Sequence, residues 1–141
     1  MKIDIQKLNK EASAKGIKMV ILFGSQAEKK ARIDSDYDIA VLTDEKNNIS
    51  ELKNYNSVLF FLCEALDIPD HKLDLTNLNY ASPFLRAEIA RAGKLLHGNE
   101  DVFAAFKASA MREYIATQDL RDLEDKLIIK RQQILAEKIY A

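Results

Sequence analysis

Apolar positions along this chain follow two rhythms, and the alternation between them lays out the fold. From about Asp4 to Lys15, Ile5, Leu8 and Ala12 recur at helical spacing, and Gly16 stands where a helix C-terminus favours a positive φ. The next seven residues, Ile17-Lys18-Met19-Val20-Ile21-Leu22-Phe23, are nearly all apolar and rich in β-branched types, which predicts a strand buried on both faces. Ser25 to Arg32 reads as a short helix or helical turn, and Asp36 to Leu42 as a second strand closed by the polar stretch Thr43 to Asn48. Ile49 to Leu66 carries Leu52, Tyr55, Leu59, Leu62 and Leu66 at helical spacing and stops at Asp67 and Pro69. His71 to Leu75 is a third strand. Ser82-Pro83 opens another helix, with Ser as cap and Pro in the first helical position, and Gly93 closes it. Lys94 to His97 is a brief extended piece.

From about Asn99 onward the chain holds neither proline nor glycine, and two apolar stripes follow: Phe103, Phe106, Ala110 and Tyr114, then Leu120, Leu123, Leu127 and Ile134. The expected fold class is therefore α/β (α+β): a small mixed sheet of three strands with helices on one side, plus C-terminal helices. Residues 1–98 form the core of this single domain, and 99–141 a helical extension that packs on the core or on a partner.

Composition narrows the function. At 141 residues the chain fits one core, and 48% apolar with 30% charged residues is ordinary for a folded protein. A net charge of −1 argues against a general polyanion-binding surface, so direct nucleic-acid binding is not expected. The tail from Lys107 on carries seven basic and six acidic residues, interleaved as on a solvated helix face. Cys63 is the one cysteine, lying in an apolar helical run, so it reads as a core residue and no internal disulfide forms. No apolar run approaches the roughly 20 residues of a membrane span. A cytoplasmic protein is expected.

The chemistry sits between Phe23 and Ile39. A strand runs out into Gly24-Ser25, ten residues follow, and the next strand opens with Asp36-Tyr37-Asp38. Strand alternation puts Asp36 and Asp38 on one face and Tyr37 and Ile39 on the other. Asp74, between Leu73 and Leu75, completes a cluster of three carboxylates if the third strand adjoins the second. Crowded like charges raise one another's pKa unless a cation lies among them. Oxygen ligands without His or Cys favour Mg²⁺, and two such ions suit an in-line displacement. Gly24 lets a ligand approach the backbone, Ser25 adds a hydroxyl, and Lys29, Lys30 and Arg32 add positive charge for phosphates. Together these residues suit phosphoryl or nucleotidyl transfer. His71 and His97 read as structural residues.

Gly-Ser, about ten residues, then Asp-x-Asp resembles the signature of the DNA polymerase β-type nucleotidyltransferases, over roughly Ile17 to Leu75. The helical ending, with Lys94-Leu95-Leu96-His97-Gly98, Phe103, Phe106 and Met111-Arg112-Glu113-Tyr114, is similar to the antitoxin members of HEPN/MNT toxin–antitoxin pairs. The resemblance implies a nucleotidyltransferase fold in which Gly24 and Ser25 contact the triphosphate of ATP. Asp36 and Asp38 then bind two Mg²⁺ ions, and Asp74 helps to activate the attacking hydroxyl. It further implies transfer of AMP to a tyrosine hydroxyl of a partner HEPN ribonuclease. The alternatives are a catalytically weak antitoxin that neutralises its toxin by binding, or a nucleotidyltransferase acting on a small molecule. One departure stands out. Family members usually follow Gly-Ser with Arg-Ala-Arg-Gly or something close, and here the stretch is Gln26-Ala27-Glu28-Lys29.

Overall fold

The computed structural model describes residues 1–29 and 35–140. The apolar run Ile17–Phe23 forms strand β1, buried except at Lys18 and, in part, Phe23. Tyr37–Thr43 (β2) pairs with it antiparallel, placing Phe23 opposite Asp38 and Ile17 opposite Thr43. Leu73–Asn77 (β3) lies parallel to β2 on its outer side, with Tyr37 opposite Leu73 and Asp38 opposite Asp74. Lys94–His97 (β4) pairs antiparallel with the other edge of β1, so the sheet order is β3-β2-β1-β4.

The mixed α/β class is as expected, but helices cover both faces of the sheet, not one. Alternation along β1 and β2 explains this, because both sets of side chains are apolar and each needs a cover. Val20, Leu22, Ile39 and Val41 pack with Leu8 and Ala12 of α1 (Ile5–Ala14) and with Phe61, Leu62 and Leu66 of α3 (Leu52–Leu66). Met19, Ile21 and Ala40 pack with Ile89 and Ala90 of α4 (Pro83–Ala92) and with Phe103, Phe106 and Ala110 of α5 (Glu100–Ala116). Leu8 and Leu62 are fully buried, each stabilising the fold by about 2 kcal/mol of apolar transfer. The extended piece at Lys94 is thus a fourth strand of the sheet.

Local chemistry sets the element ends. Asp4 accepts the Lys7 N–H at 3.1 Å to start α1, and Gly16 follows it at φ +71°. Ser82 accepts the Leu85 N–H at 3.2 Å, with Pro83 behind it, as the sequence predicts for α4. His97 is buried between the Asn9 side chain (2.8 Å) and the Ile17 carbonyl (3.2 Å), while His71 is exposed on the turn before β3. Cys63 is half-buried against the α1–α3 core, and burial, then Asp70, pushes its thiol pKa up, away from nucleophile chemistry.

The helical tail divides at Thr117. Its hydroxyl donates to the Glu113 carbonyl at 3.0 Å and to the Tyr114 carbonyl at 3.2 Å, and α6 (Gln118–Tyr140) begins immediately after. α5 packs on the sheet, whereas the two cores contain no residue beyond Ala110. Among the described residues no helix is long and apolar enough to cross a membrane.

Candidate active site

β1 ends, and β2 and β3 begin, at one edge of the sheet. The parallel pairing of β2 with β3 therefore sets Asp38 and Asp74 side by side on the face that also carries Ala40. Tyr37 and Leu73 point the other way, into the α1–α3 core. Asp36 precedes the first β2 residue by one position and is exposed; Asp38 is half-buried and Asp74 exposed. Burial raises the pKa of Asp38 above the ordinary carboxylate value, and the neighbouring charges of Asp74 and Asp36, with a hydrogen bond to Asp74, raise it further.

Gly24 closes the other side. Its φ is +72°, and a Cβ built there would overlap Asp38 Oδ2 and stand 3.1 Å from Asp38 Cγ. Glycine is thus required both by the turn and by the carboxylate beneath it. The helix that follows, α2 (Gly24–Ala27), is a single turn, so phosphate recognition there would rest on backbone N–H groups and the Ser25 hydroxyl more than on a helix dipole.

The donor set can be tested for a divalent ion. Among the described residues no three His, Cys, Asp or Glu side chains converge as a preformed cage. Asp38 does feel the charges of both Asp74 and Asp36, and the three side chains offer oxygen alone. That fits Mg²⁺, which is commonly held by one or two carboxylates together with substrate phosphates. A cleft of about 630 Å³ lies elsewhere, at the opposite end of β1 between Asn9, Asp44, His97 and Asn99, away from the carboxylates.

Residues 4–102 match the model of the polymerase β nucleotidyltransferase family. The chain belongs to that family. It is 30% identical over 112 residues to protein adenylyltransferase MntA of Aphanizomenon flos-aquae (strain 2012/KM1/D3), covering 77% of this chain and 73% of that protein. A chain of a toxin–antitoxin complex solved with AMP-PNP superposes with a TM-score of 0.67 at 26% identity, over 90% of this chain and 99% of its own. A chain from the complex of tri-AMPylated Shewanella oneidensis HEPN toxin with MNT antitoxin shares the fold, with a TM-score of 0.63 at 24% identity over 89% and 95%.

In this nucleotidyltransferase the unusual residues after Gly24-Ser25 have partners of their own. Gln26 donates to the Ser35 carbonyl at 3.1 Å, just before Asp36. Glu28 accepts from Arg91 Nη1 at 3.0 Å, and Arg91 Nη2 donates to Glu88 at 3.2 Å; these two bonds push the guanidinium pKa up. Lys29 adopts φ +56°, the left-handed region, at the position where family members usually have glycine. Lys30 and Arg32 lie outside the described residues. Sequence reasoning passed over Gln26 and Arg91 as shapers of the site. The Glu88–Arg91 spacing on one helix face was visible, but nothing local pointed from Arg91 to Glu28.

Proposed function

We propose that this protein is a Mg²⁺-dependent protein adenylyltransferase that transfers AMP from ATP to a tyrosine hydroxyl of a HEPN-family ribonuclease toxin, and so acts as its antitoxin. One observation carries the reading: Gly24, with Ser25 next in the chain, stands directly against Asp38, which is paired in register with Asp74 and feels the charge of Asp36 close by. The 30% identity to a protein named as a protein adenylyltransferase, and the likeness to a toxin–antitoxin chain solved with AMP-PNP, support the acceptor class and the nucleotide.

In this reading Gly24 and Ser25 hold the triphosphate through backbone N–H groups and the hydroxyl, with Lys29 adding positive charge. Bound among Asp36, Asp38 and Asp74, Mg²⁺ would neutralise charge developing on the phosphates. Asp74 accepts the tyrosine proton as the phenolic oxygen bonds to the α-phosphorus. The bond from that phosphorus to the bridging oxygen breaks, and pyrophosphate leaves. Most of the catalysis is positioning and charge compensation. Assembly with a partner is supported by α6, whose Leu120, Leu127 (57% exposed), Ile128 and Leu135 are about half-exposed and belong to neither core among the described residues.

The test is intact-mass analysis of the toxin after incubation with this protein, ATP and Mg²⁺. One or more AMP additions are expected, and none with the Asp36→Asn, Asp38→Asn double variant. Toxin that is still modified by the double variant would remove the carboxylates from the mechanism. Toxin that is neutralised but unmodified would establish the binding-only alternative.

A further inference from the structure

The phosphate turn of this protein is tied down from two sides. Glu28 closes α2 by donating its own N–H to the Gly24 carbonyl at 3.2 Å, so its backbone is bonded to the glycine that faces Asp38. Its side chain is held by Arg91, 63 residues further along the chain, at 3.0 Å. Arg91 stands on the last turn of α4, next to Ala90 and two residues beyond Ile89, both buried in the sheet core, so the guanidinium is rooted on a fixed helix. On the other side, the Gln26 side chain grips the Ser35 carbonyl at the entrance to β2. The turn is therefore linked to the strand that bears the carboxylates and to the helix beneath it.

Charge decides what Arg91 does there. Its guanidinium is shared between Glu28 and Glu88, two carboxylates against one cation, which leaves no excess positive charge to offer a phosphate. The turn itself carries an acid, Glu28, which recruits an arginine from a distant helix.

We infer that Arg91 is a positioning residue: by holding Glu28 it fixes the Gly24-Ser25 backbone in the geometry that accepts the nucleotide phosphates, without touching them. This rests on the reading of Gly24-Ser25 as the phosphate site.

Calorimetric titration of the full-length protein with ATP and Mg²⁺, together with steady-state adenylylation, tests it. Glu28→Ala and Arg91→Ala should each weaken ATP binding about two- to fivefold, as expected for losing a half-exposed ion pair. The change should fall on KM, with kcat nearly unchanged. The charge-reversed double variant Glu28→Arg, Arg91→Glu should recover most of the loss, since the swapped pair still sets one cation against carboxylates, Glu88 among them. If Glu28→Ala tightens ATP binding while Arg91→Ala weakens it, Arg91 is a phosphate ligand and the inference is wrong. It is equally wrong if both single variants bind ATP as the parent does, or if the reversed pair stays as weak as the single variants. Ser25→Ala separates the two levels: unchanged ATP binding in that variant overturns the phosphate-site reading itself. Arg91 is half-exposed and Glu28 a quarter exposed, and thermal denaturation checks that each variant is folded.

Discussion

Asp38 and Asp74 lie opposite each other on adjacent parallel strands, and the pKa of Asp38 is raised first by burial and then by the charges of Asp74 and Asp36. Crowding of this kind costs stability, and it is the arrangement expected where the proposed cation and phosphates would bind.

Replacing Asp38 with Asn should separate stability from activity. Loss of a ligand that helps to neutralise transition-state charge is worth several kcal/mol, so adenylylation should fall by at least about a hundredfold. Without metal and nucleotide, the same variant should melt at a higher temperature than the parent near neutral pH, because a crowded charge has gone. The sign with pH follows from the raised folded-state pKa. The parent's Asp38 is neutral and harmless below its unfolded pKa, and its stability is lost as pH rises through the folded value. The melting-temperature advantage of Asp38→Asn should therefore shrink on acidification through the carboxylate range. Melting curves in EDTA across that range would refute the assignment if the advantage grew instead.

Gly24→Ala should damage both fold and site. The substitution places a Cβ on a residue at φ +72° and drives it into the Asp38 carboxylate. A cost of about 2 kcal/mol is expected, or roughly 5–10 °C in melting temperature for a chain of this size. ATP binding should be lost even at temperatures where the variant remains folded, which calorimetry below its melting point would reveal.

Lys29→Gly tests the left-handed turn. A non-glycine residue at φ +56° costs about 1 kcal/mol, partly offset by the greater freedom glycine has when unfolded, so a net gain near 0.5 kcal/mol is expected. ATP affinity should nevertheless fall, since the turn loses its lysine charge. A variant that is more stable and binds ATP equally well would take Lys29 out of the phosphate contacts.

How legible all this was in the sequence depended on whether the deciding interaction was local. β1 was readable to the residue because an unbroken apolar run of that length has one fate in a small sheet. The face of Asp38 was readable because period-two alternation sets it locally. Asp36 stands one residue before β2, and Asp74 joins Asp38 only through the pairing of β3 with β2, which local alternation does not give. Element starts were less readable. The third helix begins at Leu52 and not at Ile49, because the Asn48 side chain takes the Ser50 N–H at 2.9 Å and Asn54 holds the Asn48 carbonyl at 3.0 Å. β3 starts at Leu73, after a one-turn helix through Asp70, His71 and Lys72. The break at Thr117 came from a hydroxyl bonding backward, with no glycine or proline to announce it. The cover on the second sheet face and the Glu28–Arg91 bond depend on residues far apart in the chain, which pattern reading does not reach.

On α6, the apolar residues Leu123, Leu127, Ile128, Ile134 and Leu135 are each about half-exposed, and neither core draws on the helix. Apolar area of that extent is ordinarily covered by a binding partner. Ending the chain after Thr117 removes the Arg121 guanidinium from the Tyr114 ring, 3.8 Å away, and from the Thr117 hydroxyl. It takes nothing from either core, so the melting temperature should stay within about 2 °C of the parent. ATP binding, formed at the distant strand edge, should also be unchanged. Toxin binding should weaken by tenfold or more, since several desolvated Leu and Ile contacts at about 1 kcal/mol or more apiece would be lost together. Titration of the toxin with the shortened and full-length proteins decides the matter. Equal affinities would show that the partner sits elsewhere, and a collapse in melting temperature would show that α6 supports the fold after all.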